Sequence, residues 1–571
     1  MPGAVINLQP AMATLTEAEK REIGQHFVFG FHGHEASDDI KTLIRDYYLG
    51  NVILFKRNVQ SMAQVHHLTA ELQTLAKEAG HGRPLLIGID QENGLVSAFS
   101  IPDAGTQFPG AMALAATGSP EIAGEVSTAT GKELKAAGIN WVYSPVADVN
   151  SDPRNPVIGV RSYSDAPETA SRYVTAVSNA FTAQNVAPSA KHFPGHGNTH
   201  VDSHLSLPRI LVDKASLFST ELVPFRALIR DDIGSIMTGH MALPNITGDD
   251  VPCSLSRAIT TDLLRGELGY NGVVVTDCLE MEAVAETYGS EGGAVLSLQA
   301  GADIVMICHT YNRHVGAIEA TYTAVKEGKL GLDELKASGR RIAALKDRVA
   351  GSWDDVFTSF HAEQVNALKK EHQLLSLRAY AASISHIPNS RPFVPLSTVG
   401  TAILFTPRME SLNRAIDDAE SQLRDASGRI RNTAGPSFSA FAKSIAARVT
   451  DVEHVVYAPD DEIPPPLAGK LRGAGSIIFA TRNGYEKGAW QVAFFAKVLE
   501  VAGSGERGLG RVVAVSTCGP YDLLALGQIA VPAIATYEFT VPALEAAAAA
   551  IYGESAVTGR VPVNMGAGIA V

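Results

Sequence analysis

Between Lys191 and His204 the chain sets four histidines, a lysine and an aspartate into fourteen residues, KHFPGHGNTHVDSH. His192, His196, His200 and His204 recur at every fourth position, which on a helix would align them along one face as metal ligands. Pro194, Gly195 and Gly197 forbid that helix. The segment therefore reads as a loop leaving a short apolar strand, Val186–Ala190, and its plain role would be a rigid polar connection whose histidines cap backbone groups. Asp202 and His204 allow more. An aspartate two residues before a histidine can accept the Nδ1 proton, select the tautomer and stabilise the imidazolium, leaving Nε2 to exchange a proton with a substrate.

This run resembles the signature of the family-3 glycoside hydrolases, in their β-N-acetylglucosaminidase branch, where the pattern is KHFPGHG(D)T followed by DSH; Asn198 stands where aspartate is common. The resemblance implies that His204 is the acid/base and Asp202 its partner, in place of a glutamate drawn from elsewhere. It extends from about residue 20 to the chain end, dense in the first half, and closes on Ala556–Val563, which is similar to the end of the C-terminal domain in two-domain members.

A retaining glycosidase also needs a nucleophile below the anomeric carbon. Asp277 ends the run Val273–Thr276. With Glu280 it also fits a capping box, which would explain an aspartate there without chemistry. The segment Thr276–Met281 resembles the family's nucleophile segment, with Asp277 at the nucleophile position, and an adjoining helix N-terminus would keep that carboxyl ionised. The resemblance further implies that Asp90, Arg161, Lys191 and His192 hold the terminal sugar; as strand-end residues each could equally form a rim salt bridge. Asp148 and His240 are weaker candidates for supporting roles. The family's DQEGGRVQRF here reads DQENGLVSAF, so both arginines are missing, at Leu95 and Ala98. Losing a charge-assisted sugar contact bears on affinity or sugar preference and leaves the reaction type alone.

These residues need a scaffold that gathers strand ends. Eight apolar β-rich runs alternate with helical patterns: residues 26–31, 51–55, 85–90, 139–148, 186–192, 235–240, 272–277 and 302–307. That pattern predicts a (β/α)8 TIM barrel, whose catalytic groups sit at the strand C-termini, closed by a last helix over Leu332–Val349. We expect an α/β protein with a catalytic barrel over residues 1–350, a mostly helical connector over 351–398 without strand patterns, and a smaller C-terminal α/β sandwich domain over 399–571. In the last, strands are expected at 401–405, 454–458, 476–480, 511–516 and 533–537, with a helix over Ala543–Ile551. The Gly503–Gly508 GxGxxG match precedes a strand instead of following one, so it reads as a surface turn.

A length of 571 residues calls for more than one domain, and 46% apolar residues supply the cores. A net charge of −13 without a basic run argues against nucleic acid or anionic membrane and for a neutral or small substrate, which the resemblance implies is a small carbohydrate. No apolar stretch reaches membrane-span length and no secretory leader is evident, so a cytoplasmic protein is expected. Cys253, Cys278, Cys308 and Cys518 form no close pair in sequence and read as free thiols; no metal or organic cofactor is implied. The expected activity is that of a retaining exo-β-N-acetylglucosaminidase. A β-glucosidase or β-xylosidase on the same barrel would take its acid/base glutamate from the second domain, and an inactive sugar-binding protein would have no need of intact Asp202, His204 and Asp277.

Overall fold

The computed structural model describes residues 14–408, 434–485, 488–503 and 506–566. Eight parallel strands close into a barrel: β1 (Phe27–Phe29), β2 (Asn51–Leu54), β3 (Leu86–Ile89), β4 (Trp141–Val142), β5 (Ala187–Phe193), β6 (Ser235–Thr238), β7 (Val273–Cys278) and β8 (Ile304–Ile307). Their β-branched and aliphatic runs are buried on both faces, as strands covered by crossover helices must be. Val28, Ile53, Leu86, Trp141, Met237 and Val275 fill the interior, and Ile342, Leu345 and Val349 of the helix Leu332–Val349 join the same cluster. Trp141 satisfies its indole N–H on Ser235 Oγ at 2.8 Å, so the large ring is buried without an orphaned donor. The run expected at 139–148 is strand only over β4; beyond it the chain leaves the barrel as a long loop carrying Asp148 and Arg161.

The second unit is built on β9 (Ser385–His386), β10 (Ser390–Arg391), β11 (Thr401–Pro407), β12 (Asp451–Tyr457), β13 (Ser476–Thr481), β14 (Val512–Ser516), β15 (Ile529–Ala535) and β16 (Gly559–Arg560), in the order β12-β11-β13-β14-β15-β9-β16 with β10 beside β15. The alternation of the central strands sorts its core. Ile403, Phe405, Ile477 and Phe479 face the helix Trp490–Ala502, while Ala402, Leu404, Ile478 and Ala480 face Gly435–Ala446 and Val541–Ile551, an α/β arrangement covered on both sides. The stretch expected to lack strands holds the helix Ala362–Ser383 but also β9 and β10, which are too short to show a period. Part of the GxGxxG match lies outside the described residues; its end is a four-residue helix, Glu506–Leu509, ahead of β14.

Barrel and second unit share a packed boundary. Met112, Ala113, Ala116 and Val160 belong to one apolar cluster with Cys518, Tyr521 and Leu523. Across it Glu538 accepts from Gly110 N–H at 2.8 Å, and it also accepts from Tyr380 Oη at 2.6 Å and Thr540 Oγ1 at 2.7 Å. Burial raises its carboxyl from 4.5 to about 6, the three donors resisting. A folded-state pKa above the unfolded one stabilises the protein below the unfolded value and loses that contribution as pH rises through the folded one. Tyr380→Phe removes a donor from the charged form, so it should lower the thermal midpoint more at about pH 7 than at about pH 5, where proton uptake is the alternative. The loss at the upper end should reach ~1–3 kcal/mol; equal losses at both values in scanning calorimetry would contradict this account.

Candidate active site

A cavity of about 500 Å³ opens at the C-terminal ends of the barrel strands, within the roughly 300–1,000 Å³ of small-molecule sites. Two irregularities of strand pairing decide what lines it. Ala190 pairs with Ile236 and Phe193 with Thr238, three steps along β5 against two along β6. Val275 pairs with Ile304 and Cys278 with Met306, again three steps on β7 against two on β8. Successive residues of a regular strand point to opposite faces, and a bulge re-aims one of them. Lys191 and His192 therefore both reach the cavity, as do Asp277 and Cys278.

Charge is held on the β3 side by Glu92, in the short strand Gln91–Asn93. Arg161 grips it in a bidentate pair, Nε to Oε2 at 2.9 Å and Nη2 to Oε1 at 2.7 Å. Lys191 Nζ lies 2.7 Å from the same Oε1 and 2.6 Å from Asp90 Oδ1. Burial opposes ionisation of Glu92, but Arg161 and Lys191 overcome it and hold the carboxyl at about 2. The two cations are likewise raised against their own burial, Arg161 chiefly by Glu92 and Lys191 by Asp90 and Glu92. Arg161 ends a short turn, Gly159–Arg161, whose Val160 is packed into the boundary with the second unit.

The four histidines part company. His192 gives its Nδ1 side to Asp148 Oδ2 at 2.7 Å, which selects the tautomer with Nε2 as acceptor. Asp148 also receives the backbone N–H groups of His192 and His196, the latter at 2.7 Å. His196 Nε2 pairs with Ser203 Oγ at 2.9 Å, tying the 198–206 loop down beside the strand. His200 is exposed, 3.7 Å from Asp152. His204 faces the cavity, and Asp202 Oδ1 lies 2.8 Å from both its Nδ1 and its backbone N–H. Burial raises the Asp202 carboxyl, while the His204 side chain and N–H bring it below the ordinary aspartate value.

Asp277 projects from β7 into the same space, its Oδ1 accepting from Cys278 N–H at 2.7 Å. Burial works against its charge, but His192, His240, that N–H and His204 hold the carboxyl below its ordinary value. The capping-box alternative does not hold: the next helix runs Glu282–Ala300 with Met281 as its N-cap, and Glu280 instead accepts from Cys308 N–H at 2.9 Å and His309 N–H at 2.6 Å. The charge on Asp277 is accordingly favoured by histidines across the cavity, and the expected helix N-terminus plays no part.

Of the residues singled out in the sequence, Asp90, Arg161, Lys191, His192, His204 and Asp277 line one cavity. Asp202, Asp148 and His240 stand behind it, the last between Ser254 Oγ at 2.7 Å and the Cys278 carbonyl at 2.9 Å. Leu95 and Ala98, where the family pattern has arginine, also line it. Sequence reading gave no role to Glu92 or Ser203. The signal for Glu92 was its place two residues after Asp90, on the same side of an extended chain. Glu92→Gln keeps the shape but leaves two buried cations short of one charge. Breaking a buried pair costs about 3–5 kcal/mol, so the variant should unfold at markedly lower denaturant concentration, and an unchanged midpoint would show that the network is not under electrostatic load.

The Glycosyl hydrolase family 3 N terminal domain matches residues 16–345. Beta-hexosaminidase A of Pseudoalteromonas piscicida is 30% identical over 92% of this chain and 91% of its own. A family-3 β-N-acetylglucosaminidase from Paenibacillus sp. str. FPU-7 superposes with a TM-score of 0.81 at 32% identity, covering 97% of this chain and 99% of that one. A fungal multi-domain β-N-acetylglucosaminidase gives 0.82 at 37% identity over 96% of this chain, which spans 60% of that longer protein. The chain thus belongs to glycosyl hydrolase family 3 and is a glycoside hydrolase.

Proposed function

We propose that the protein is a retaining, exo-acting β-N-acetylglucosaminidase that removes terminal β-linked N-acetylglucosamine from small carbohydrates. The observation that carries this reading is the Asp202–His204 pair at 2.8 Å, on the rim of a cavity that also holds Asp277. Among the described residues every group lining that cavity lies between Phe55 and His309, so the second unit supplies no carboxylate of the kind a β-glucosidase or β-xylosidase acid/base would require. The relatives named above as β-hexosaminidase and β-N-acetylglucosaminidase support the sugar.

In this reading Asp277 attacks the anomeric carbon, the glycosidic C–O bond breaks, and the leaving oxygen takes the proton of His204 Nε2. Asp202 holds the imidazole in the required tautomer and stabilises it while it is charged. Water then gives its proton back to His204 and its oxygen to the anomeric carbon, freeing Asp277. Asp90, Arg161, Lys191 and His192 hold the sugar. Cytoplasmic residence belongs to the same reading and is supported by four buried cysteines that form no disulfide.

Aryl N-acetylglucosaminide should be turned over and aryl glucoside should not. A 2-deoxy-2-fluoro or 5-fluoro donor should leave an ester on Asp277, located by peptide mapping; label on another residue, or a product of inverted configuration, would refute the assignment. Asp277→Asn should lose roughly 10³-fold or more in kcat/KM, about 4 kcal/mol of transition-state stabilisation. The histidine also bears on the second step. After donating its proton His204 is neutral, whereas a carboxylate would be anionic and repel an incoming phosphate. Inorganic phosphate should then resolve the glycosyl-Asp277 ester alongside water and yield sugar 1-phosphate. Product analysis in phosphate and in a non-nucleophilic buffer at matched ionic strength decides this: free sugar alone at every phosphate concentration would make the enzyme a strict hydrolase.

A further inference from the structure

The extra residue that turns Asp277 into the cavity also turns Cys278 toward it, and there it meets a second thiol. Cys308 follows β8, the neighbour of β7. Cys278 Sγ, Cys308 Sγ and a ring nitrogen of His309 lie within 4.8 Å of one another, and all three residues line the cavity. Thirty residues separate the cysteines, which is why no motif shows in the sequence. Among the described residues this is the one group of three such donors close enough to share an ion.

We propose that Cys278, Cys308 and His309 form a binding site for a soft divalent cation of the zinc type, and that its occupancy suppresses turnover. Two sulfurs and an imidazole are the donors such ions select, whereas magnesium and calcium take oxygen. Tetrahedral zinc with bonds of about 2.0–2.3 Å sets its donors roughly 3.3–3.8 Å apart, so binding draws them closer than the present 4.8 Å limit. The surroundings carry both signs: Arg57 Nη2 donates to the Cys308 carbonyl at 2.7 Å and Arg313 lies 3.7 Å from Glu280, while a carboxylate stands beside the thiols. Glu280 Oε2 lies 3.9 Å from Cys278 Sγ and is held by the Cys308 and His309 N–H groups. A thiol coordinated to a dication is deprotonated. On binding, both thiols pass their protons to solvent and the two thiolates neutralise the ion. Seated beside Asp277, the bound ion narrows the cavity and draws on the charge the nucleophile needs. The suppression rests on the glycosidase reading, and the binding does not.

The test uses the full-length protein, reduced with a phosphine and stripped with a chelator. Titration with cadmium alone should produce thiolate-to-metal charge-transfer absorption in the ultraviolet, saturating at one equivalent. Zinc measured by calorimetry should bind wild type and lose affinity roughly 10- to 100-fold or more in Cys308→Ser and in the more conservatively placed His309→Ala, the scale on which even outer partners of a metal act. Zinc should inhibit hydrolysis of the aryl glycoside, reversibly with chelator, and should no longer inhibit Cys308→Ser, with inhibition read relative to that variant's own metal-free turnover. No cadmium band, or zinc affinity unchanged in both variants, overturns the site. Undiminished zinc inhibition in both variants overturns the suppression and points to the Asp202–His204 pair as the ion's seat. Failure of the glycosidase reading would show separately, as no turnover in stripped wild type with the cadmium band intact.

Discussion

A carboxylate buried between a guanidinium and an ammonium stays charged only while both cations stay in place, and Glu92 is in that position between Arg161 and Lys191. The three residues come from a short strand after β3, a loop after β4, and β5 itself. Their mutual neutralisation therefore fixes three separate segments relative to one another at the cavity wall. Asp90 is drawn into the same arrangement through Lys191. None of these groups can reorient alone without stranding a buried charge, which costs several kcal/mol. On the proposed function, a sugar entering this wall meets donors and acceptors that are already aimed.

The second unit acts on this network from behind. Val160, adjacent to Arg161, packs with Tyr521 and Leu523, and Asn150, two residues beyond Asp148, gives its side-chain N–H to Tyr521 Oη at 3.1 Å. Ser164 and Asp165 of the same loop bond to the backbone at Pro562 and Asn564. The β4 strand is only two residues long, so the loop that follows it has little barrel support of its own. The second unit supplies that support, which accounts for its large apolar boundary with the barrel although it lines no part of the cavity among the described residues.

The barrel was legible because its strands are apolar runs, several of them ending in Asp or His, and a parallel strand buried on both faces is the simplest pattern to read. The candidate site was legible where composition was unusual: Asp202 and His204 in the histidine-rich loop, Asp277 after three valines and a threonine. What stayed hidden depends on pairing rather than composition. Register shifts on β5 and β7 cannot be read from one strand's sequence, since they exist only relative to the neighbour, yet they bring Lys191 with His192 and Asp277 with Cys278 to one side. Glu92 stayed hidden because a glutamate in a polar run gives no sign of burial until its cations are located. The strands β9 and β10 were too short for any period, and the apparent capping box at Asp277 failed because the helix begins later, at Glu282.

In the proposed retaining reaction, acceptor choice follows from the charges left once Asp277 is esterified and neutral. A carboxylate acid/base about 4 Å from an incoming phosphate would oppose each unit of its charge by ~4 kcal/mol at an effective dielectric of about 20. His204, neutral at that stage, removes the opposition. Working the other way, Leu95 and Ala98 line the cavity where the family pattern has two arginines, and each missing cation withdraws ~2 kcal/mol of attraction per unit charge at roughly 8 Å. Lys191 and Arg161 do not replace them, because both are already neutralised by Glu92 and Asp90. Lys56 and Arg57 line the same cavity and carry positive charge there. On the proposed reading, His204 sets no like-charge barrier to phosphate, and the partition between water and phosphate turns on how far Lys56 and Arg57 offset the two missing arginines.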